Sequence, residues 1–257
     1  MYSDLPKPTI FAHRGSSAYA PENTLAAFNL AVRQNADAIE FDAKLSADGH
    51  VVVIHDQTVD RTTDGQGKVS EMNLVDLKQL DAGSKFDTSF AGEQIPTLEE
   101  VFESVLGKIF INIELTNYAS LRNDLPEKAV KIVRSFNAEN QVLFSSFNPI
   151  ALRKIRKIMP SAPLGLLAFP GFAGTWARSR LGRWVPYQAL QPEVKDVTND
   201  LIQEQHYNGR KVNTYTVNDS DQMLDLFKMG IDGIFTDDPP LAQQTLAQYQ
   251  GTSNKPL

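Results

Sequence analysis

The sequence predicts an α/β chain folded as a (β/α)8 barrel, the TIM-barrel architecture. Three observations carry this expectation. Short apolar runs alternate with amphipathic helical runs about eight times, the rhythm of parallel strands joined by helices. About eight such units within 257 residues favour a closed barrel over an open doubly wound sheet. Polar residues that are unusual inside strands gather at several predicted strand ends, which a barrel would bring to one mouth.

The elements follow in order. Residues 9–12 form the first strand, ending at His13-Arg14-Gly15. A helix over 24–35 is predicted by Leu25, Phe28 and Val32, an apolar stripe at helical spacing, with Asn23 or Thr24 to cap its start. The stretch 37–42, Asp-Ala-Ile-Glu-Phe-Asp, reads as a strand that places Glu40 and Asp42 on one face and Ile39 and Phe41 on the other. A turn at Asp48-Gly49 leads to a buried strand, Val51–Ile54, which delivers His55-Asp56.

Residues 57–96 interrupt the rhythm. They hold several Gly, Asp and Thr, with only a short amphipathic segment around Leu74–Leu80. Forty residues is too long for a plain loop, so a small subdomain is expected here, inserted after the second barrel strand of a single 1–257 domain. Thr97 and Glu100 have capping-box spacing ahead of a helix at 98–106. Strands are then expected near 109–115, 141–145, 162–167, 184–190, 211–217 and 231–235. Helices are expected near 124–136, 148–158, 197–207, 219–229 and 239–249. Residues 168–186 mix Phe169, Phe172, Trp176 and Trp184 with Arg178, Arg180 and Arg183 and read as a long aromatic and basic loop.

Composition excludes several classes. A net charge of −6 argues against nucleic acid as a partner, while a small anionic substrate stays compatible with it. With no cysteine there is no disulfide, no zinc–thiolate site and no Cys nucleophile. Met1–Pro6 lacks the pattern of a secretory signal, and no stretch approaches the roughly 20 apolar residues of a membrane span. The expected location is cytoplasmic.

The candidate chemistry lies at the strand ends. Two carboxylates side by side on a buried strand, Glu40 and Asp42, repel each other and lose hydration; a cation between them removes both penalties. In Ile111-Asn112-Ile113-Glu114 the alternation puts Glu114 on the polar face at a third strand end. Three carboxylates make an oxygen cage for one hard divalent cation, Mg2+ or Ca2+. His13 and His55 beside it suit proton transfer, and Arg14 offers a planar fork for a phosphate, joined by backbone N–H groups at Gly15–Ser17. Together they suit metal-assisted phosphoryl transfer or phosphodiester cleavage. Each also has a plainer reading: a hydrogen-bonded structural His, an Arg paired with an acid, an Asn23 that only caps a helix. His50 and His206 are read as solvated.

His13-Arg14-Gly15, Pro21-Glu22-Asn23-Thr24, Glu40-Phe41-Asp42, Asp48-Gly49, His55-Asp56, Arg61-Thr62-Thr63 and Asn112-Ile113-Glu114 together resemble the glycerophosphodiester phosphodiesterase family. The likeness continues more weakly through Ser145-Ser146-Phe147, Tyr215-Thr216-Val217-Asn218 and Gly233–Asp237. It implies a (β/α)8 barrel with a subdomain inserted after His55, and hydrolysis of a small-molecule glycerophosphodiester to sn-glycerol 3-phosphate and an alcohol. By the same likeness His13 and His55 exchange protons, Glu40, Asp42 and Glu114 hold Mg2+ or Ca2+, and Arg14 grips the phosphate. Two positions depart from the family pattern. Thr116 stands where a Lys is usual, so a phosphate contact is either lost or supplied by another cation, such as an Arg of the 178–183 loop. Tyr215 stands where Trp is usual, keeping an aromatic wall in the substrate site and adding a hydroxyl. Two other readings are a lysophospholipase D-like activity at a membrane surface, prompted by the 168–186 loop, and a non-catalytic phosphodiester-binding protein, prompted by Thr116.

Overall fold

In the second strand, β2 (Ala38–Leu45), every residue through Lys44 is buried, because one face meets the barrel interior and the other the surrounding helices. The computed structural model describes residues 1–116 and 123–253. Strand β1 (Thr9–His13) pairs in parallel with β2 on one side and with the last strand on the other, which closes the ring. Strand β3 (Val51–Val53) lies outside the ring, antiparallel to the end of β2. The ring continues through β4 (Phe110–Leu115), β5 (Val142–Ser146), β6 (Leu164–Ala168), β7 (Ala189–Pro192), β8 (Lys211–Thr214) and β9 (Gly233–Thr236). Around it lie α1 (Leu25–Arg33), α2 (Leu74–Leu77), α3 (Leu98–Val105), α4 (Leu125–Ser135), α5 (Pro149–Ile158), α6 (Thr175–Arg178), α7 (Asn199–Tyr207), α8 (Ser220–Lys228) and α9 (Pro239–Ser253). This is the (β/α)8 barrel the alternation predicts. No helix among the described residues is long and apolar enough to cross a membrane.

The two faces of the strands explain where the site must be. Outward residues such as Ile39, Phe41, Ile111 and Phe144 pack with Phe28, Val101, Phe102 and Leu152 from the helices. Inward, Tyr2, Phe11, Ala38, Phe110, Leu143, Ala189 and Phe235 fill the N-terminal end of the barrel, with the Phe11 and Phe235 rings stacked 4.6 Å apart. Each buried Phe contributes about 2–3 kcal/mol. That packed plug, whose Tyr2 hydroxyl accepts from Asn213, leaves the C-terminal mouth as the place for charged side chains.

Helix starts bear out the capping expectations. The Thr97 hydroxyl accepts from the Glu100 N–H, and Glu100 accepts from the Thr97 N–H at 2.8 Å. At α1 the cap is Thr24, which accepts from the Ala27 N–H; Asn23 is left for another role.

Three expectations need correction. Strand 37–42 does not end at Asp42 but runs to Leu45, because Ala43, Lys44 and Leu45 pair with β3. The 168–186 loop is a series of short helical turns, Gly171–Gly174, α6 and Arg180–Trp184, so the strand expected at 184–190 begins only at Ala189. The Arg178 guanidinium ties these turns together through Asp196 and the Phe169 carbonyl, while the Arg183 side chain lies outside the described part. His206 is exposed, as expected, and its Nε2 also lies 2.6 Å from the buried Asp232 carboxylate, which holds Lys7 as well. Within 57–96, Val59, Val69, Leu77, Ala82 and Ile95 gather with Val52 and Ile54 in a small apolar cluster of their own.

Candidate active site

Register brings the acids together. β1, β2 and β4 align His13 with Glu40, Glu40 with Asn112, and Asp42 with Glu114. The period of two turns Glu40, Asp42, Asn112 and Glu114 inward. One oxygen from each of Glu40, Asp42 and Glu114 lies within 4.8 Å of the others, and Glu40 and Asp42 are buried. Burial, then the charges of Asp42 and Glu114, push the Glu40 carboxyl well above the ordinary carboxylate range. Three crowded anions and an all-oxygen donor set fit a hard divalent cation.

A cavity of about 290 Å3 opens over this cluster, lined by His13, Arg14, His55, Phe147, Gln191 and Tyr215 besides the acids. His13 ends β1, and its Nδ1 lies 2.7 Å from Asp237 Oδ1, just beyond β9. Burial works against ionisation of Asp237, but bonds from His13, Asn218 and Ser17 outweigh it and bring its pKa to about 2. An ionised Asp237 accepts from Nδ1–H and leaves Nε2 as the exchangeable ring nitrogen. His55 is built the same way: Nδ1 lies 2.6 Å from Asp56 Oδ1. The Arg61 guanidinium, with help from His55, holds Asp56 down to about 2.

Arg14 is the hub of the remaining charge. Its backbone is left-handed, φ 57°, followed by Gly15 at φ 83°, and this turn aims the Arg14 N–H at Glu40 Oε2, 3.1 Å away. Its Nη1 donates to Glu22 at 2.8 Å, and its Nε lies 3.4 Å from Asp42. Although burial works against the cation, Asp42, Glu22 and Glu40 raise its pKa. Glu22 in turn receives two bonds from Arg61, so one ionic chain links His55, Asp56, Arg61, Glu22 and Arg14. Asn23, also left-handed at φ 58°, donates to Asp42 Oδ2 at 3.0 Å; it orients a cage carboxylate and does not cap a helix.

Seven of the eight predicted site residues meet in this cavity, and Thr116 does not. Thr116 is buried, donates to the Ala43 carbonyl and accepts from Lys44 Nζ at 2.6 Å. Lys44 is thus a second cation near the cage besides Arg14, and Arg178 of the 178–183 loop is engaged by Asp196. Burial lowers the Lys44 pKa, while Asp42 and Glu114 oppose that. The Tyr215 hydroxyl donates to the Ala168 carbonyl at 2.7 Å, so its ring serves as wall, edge-on to Phe147, which stacks on Phe169. Sequence reasoning missed Lys44, Asp237, Gln191 and the Glu22–Arg61 pair. Lys44 had a local signal in its spacing of two from Asp42, and Glu22, Arg61 and Asp237 lie within the motifs that carry the family resemblance, although sequence reasoning gave them no role.

Fold and site together define a class: a barrel enzyme whose mouth sets a carboxylate cage against two carboxylate-backed imidazoles and an arginine. The chain belongs to the glycerophosphoryl diester phosphodiesterase family, whose model matches residues 13–241. It is 43% identical over 234 residues to a glycerophosphodiester phosphodiesterase of Caldanaerobacter subterraneus subsp. tengcongensis, covering 91% of this chain and 95% of the relative. It superposes with a TM-score of 0.87, at 33% identity, on an Oleispira antarctica phosphodiesterase solved with the product sn-glycerol-3-phosphate, covering 96% of this chain and 98% of that one. A glycerophosphodiester phosphodiesterase from Agrobacterium tumefaciens matches with a TM-score of 0.80 at 30% identity, covering 92% and 99%.

Proposed function

We propose that this enzyme hydrolyses glycerophosphodiesters to sn-glycerol 3-phosphate and an alcohol, with one divalent cation, Mg2+ or Ca2+, held by Glu40, Asp42 and Glu114. The observation that carries the reading is the carboxylate cage sharing one cavity with His13 and His55. The cation would supply Lewis-acid polarisation of a phosphoryl oxygen. Arg14 neutralises phosphate charge from the adjacent wall, and the Tyr215 ring confines the substrate. Thr116 acts at one remove, by fixing the Lys44 ammonium. One imidazole accepts at Nε2 the proton of the attacking group, either water or the glycerol 2-hydroxyl; the other donates from Nε2 to the oxygen of the departing alcohol. Asp237 and Asp56 steady each imidazolium while it carries the extra proton. We read 1–257 as one catalytic domain in which the 57–96 insertion supplies Arg61.

The test is direct. His13→Ala and His55→Ala each lower kcat by at least about 100-fold, the low end for general acid–base catalysis. A chelator abolishes turnover and Mg2+ or Ca2+ restores it. Near-wild-type turnover by either variant removes that histidine from the reaction, and full activity in excess chelator removes the cation.

A second reading, cleavage of lysophospholipids at a membrane surface, draws on Phe172 and Leu181, which are 91% and 71% exposed beside the exposed Arg180. Turnover of a lysophospholipid compared with glycerophosphocholine, together with liposome binding, separates the two.

A further inference from the structure

Neutral polar side chains line the barrel interior without partners among the described residues: Asn112 at Oδ1, Ser145 at Oγ, and Gln191 at both Nε2 and Oε1. Gln191 is the extreme case. It is 0% exposed, and neither half of its amide is hydrogen-bonded. Unpaired buried amides destabilise a fold and are rare, so one that persists points to a partner that arrives later. The side chain is held closely in place. It lies against Gly165 of β6, where an added Cβ would stand 2.7 Å from Gln191 Nε2 and 2.8 Å from Cδ. Gln191 and Asn112 both line the catalytic cavity. On β4, Asn112 is two residues below Glu114 on the same face, deeper than the upper rim of the cage.

Resting on the glycerophosphodiesterase reading above, we infer that Gln191, with Asn112 lining the same cavity, recognises the terminal hydroxyl of the substrate's glycerol and so determines specificity for glycerol diesters. The chemistry matches on both sides. A hydroxyl donates one hydrogen and accepts at its lone pairs; Gln191 Nε2 is a donor for it, and either Gln191 Oε1 or Asn112 Oδ1 accepts its one hydrogen. A phosphate belongs with Arg14 and the imidazoles at the mouth, which leaves the far end of a three-carbon polyol for the uncharged groups. A site built to bond a hydroxyl rejects the analogue that lacks it, because its buried polar groups then stay unpaired.

The test uses the whole enzyme with added Mg2+. Gln191→Met and Gln191→Leu remove the amide at similar volume. Turnover is compared for glycerophosphocholine and for its 1-deoxy analogue, propane-1,2-diol phosphocholine. Calorimetry compares binding of sn-glycerol 3-phosphate with binding of propane-1,2-diol phosphate, and thermal melts report stability. The wild type is expected to prefer the glycerol diester by about 100-fold or more in kcat/KM. The variants lose most of that preference by losing rate on the glycerol diester alone, and the difference in affinity between the two monophosphates shrinks with it. Their Tm stays level or rises, because an unpaired buried amide has been replaced by an apolar group. Equal loss on both diesters, unchanged preference, no preference in the wild type, or variants that melt earlier or fail to fold would each overturn the inference. Absence of wild-type turnover on both diesters would instead strike the parent reading, and the two monophosphate affinities would still decide the role of Gln191.

Discussion

His13 Nδ1 and Asp237 Oδ1 stand 2.7 Å apart although 224 residues separate them in sequence, because β1 and β9 are neighbours where the barrel closes. The contact fixes the ring of His13 and its tautomer, and it joins the first motif of the chain to the last.

Asp237→Asn is expected to lower kcat by about 100- to 10,000-fold with a smaller effect on KM, because the amide no longer holds the His13 tautomer needed for proton transfer. Steady-state kinetics beside a melting curve check this. A change confined to KM would place Asp237 outside proton transfer.

Acid stability follows from the depressed carboxylates. Asp56 ionises at about 2 in the fold against an ordinary 3.8, so the folded state binds its proton less readily than the unfolded chain. Its contribution is fully present above about pH 4 and is lost as pH falls toward about 2. Asp56→Asn should therefore flatten the decline of stability across that window, measured by urea unfolding at stepped pH. A slope unchanged from wild type would contradict the assignment.

The cage predicts the opposite sign. The Glu40 carboxyl is raised by burial and by Asp42 and Glu114, so above the ordinary carboxylate range its ionisation opposes folding of the metal-free protein. Metal-free enzyme should gain stability as pH falls through the raised value. A cation at 100 times its Kd should add about 2.7 kcal/mol, a rise in Tm of about 5–10 °C. Glu40→Gln should melt higher than wild type in chelator near pH 7 and lose most of the cation-induced rise.

Lys44 holds a positive charge beside the same carboxylates. Lys44→Met should tighten cation binding by about tenfold or more, because a like charge has been removed from a buried site. Titrating Tm or activity with Mg2+ reads this directly. Weaker binding would mean that Lys44 chiefly holds the cage in shape.

Gly15 tests the turn behind Arg14. Its φ is 83°, and a Cβ would stand 2.7 Å from the backbone of Ala27. Gly15→Ala should cost about 2–3 kcal/mol from strain and overlap. Equal stability by denaturant unfolding would refute the packing.

Much of this protein was already legible along the chain. Alternation of apolar strands and amphipathic helices determined a barrel, and the period of two in Glu40-Phe41-Asp42 and Asn112-Ile113-Glu114 determined which carboxylates turn inward, since both signals are local and periodic. The partners of those groups had no such signal. Asp237 for His13, Arg61 for Glu22, Thr116 for Lys44 and Gly165 for Gln191 are set by which strands and loops become neighbours when the chain folds. The direction of the Tyr215 hydroxyl depends likewise on a carbonyl 47 residues away. Local periodicity decides which face of an element a side chain occupies; only long-range packing decides what it meets there.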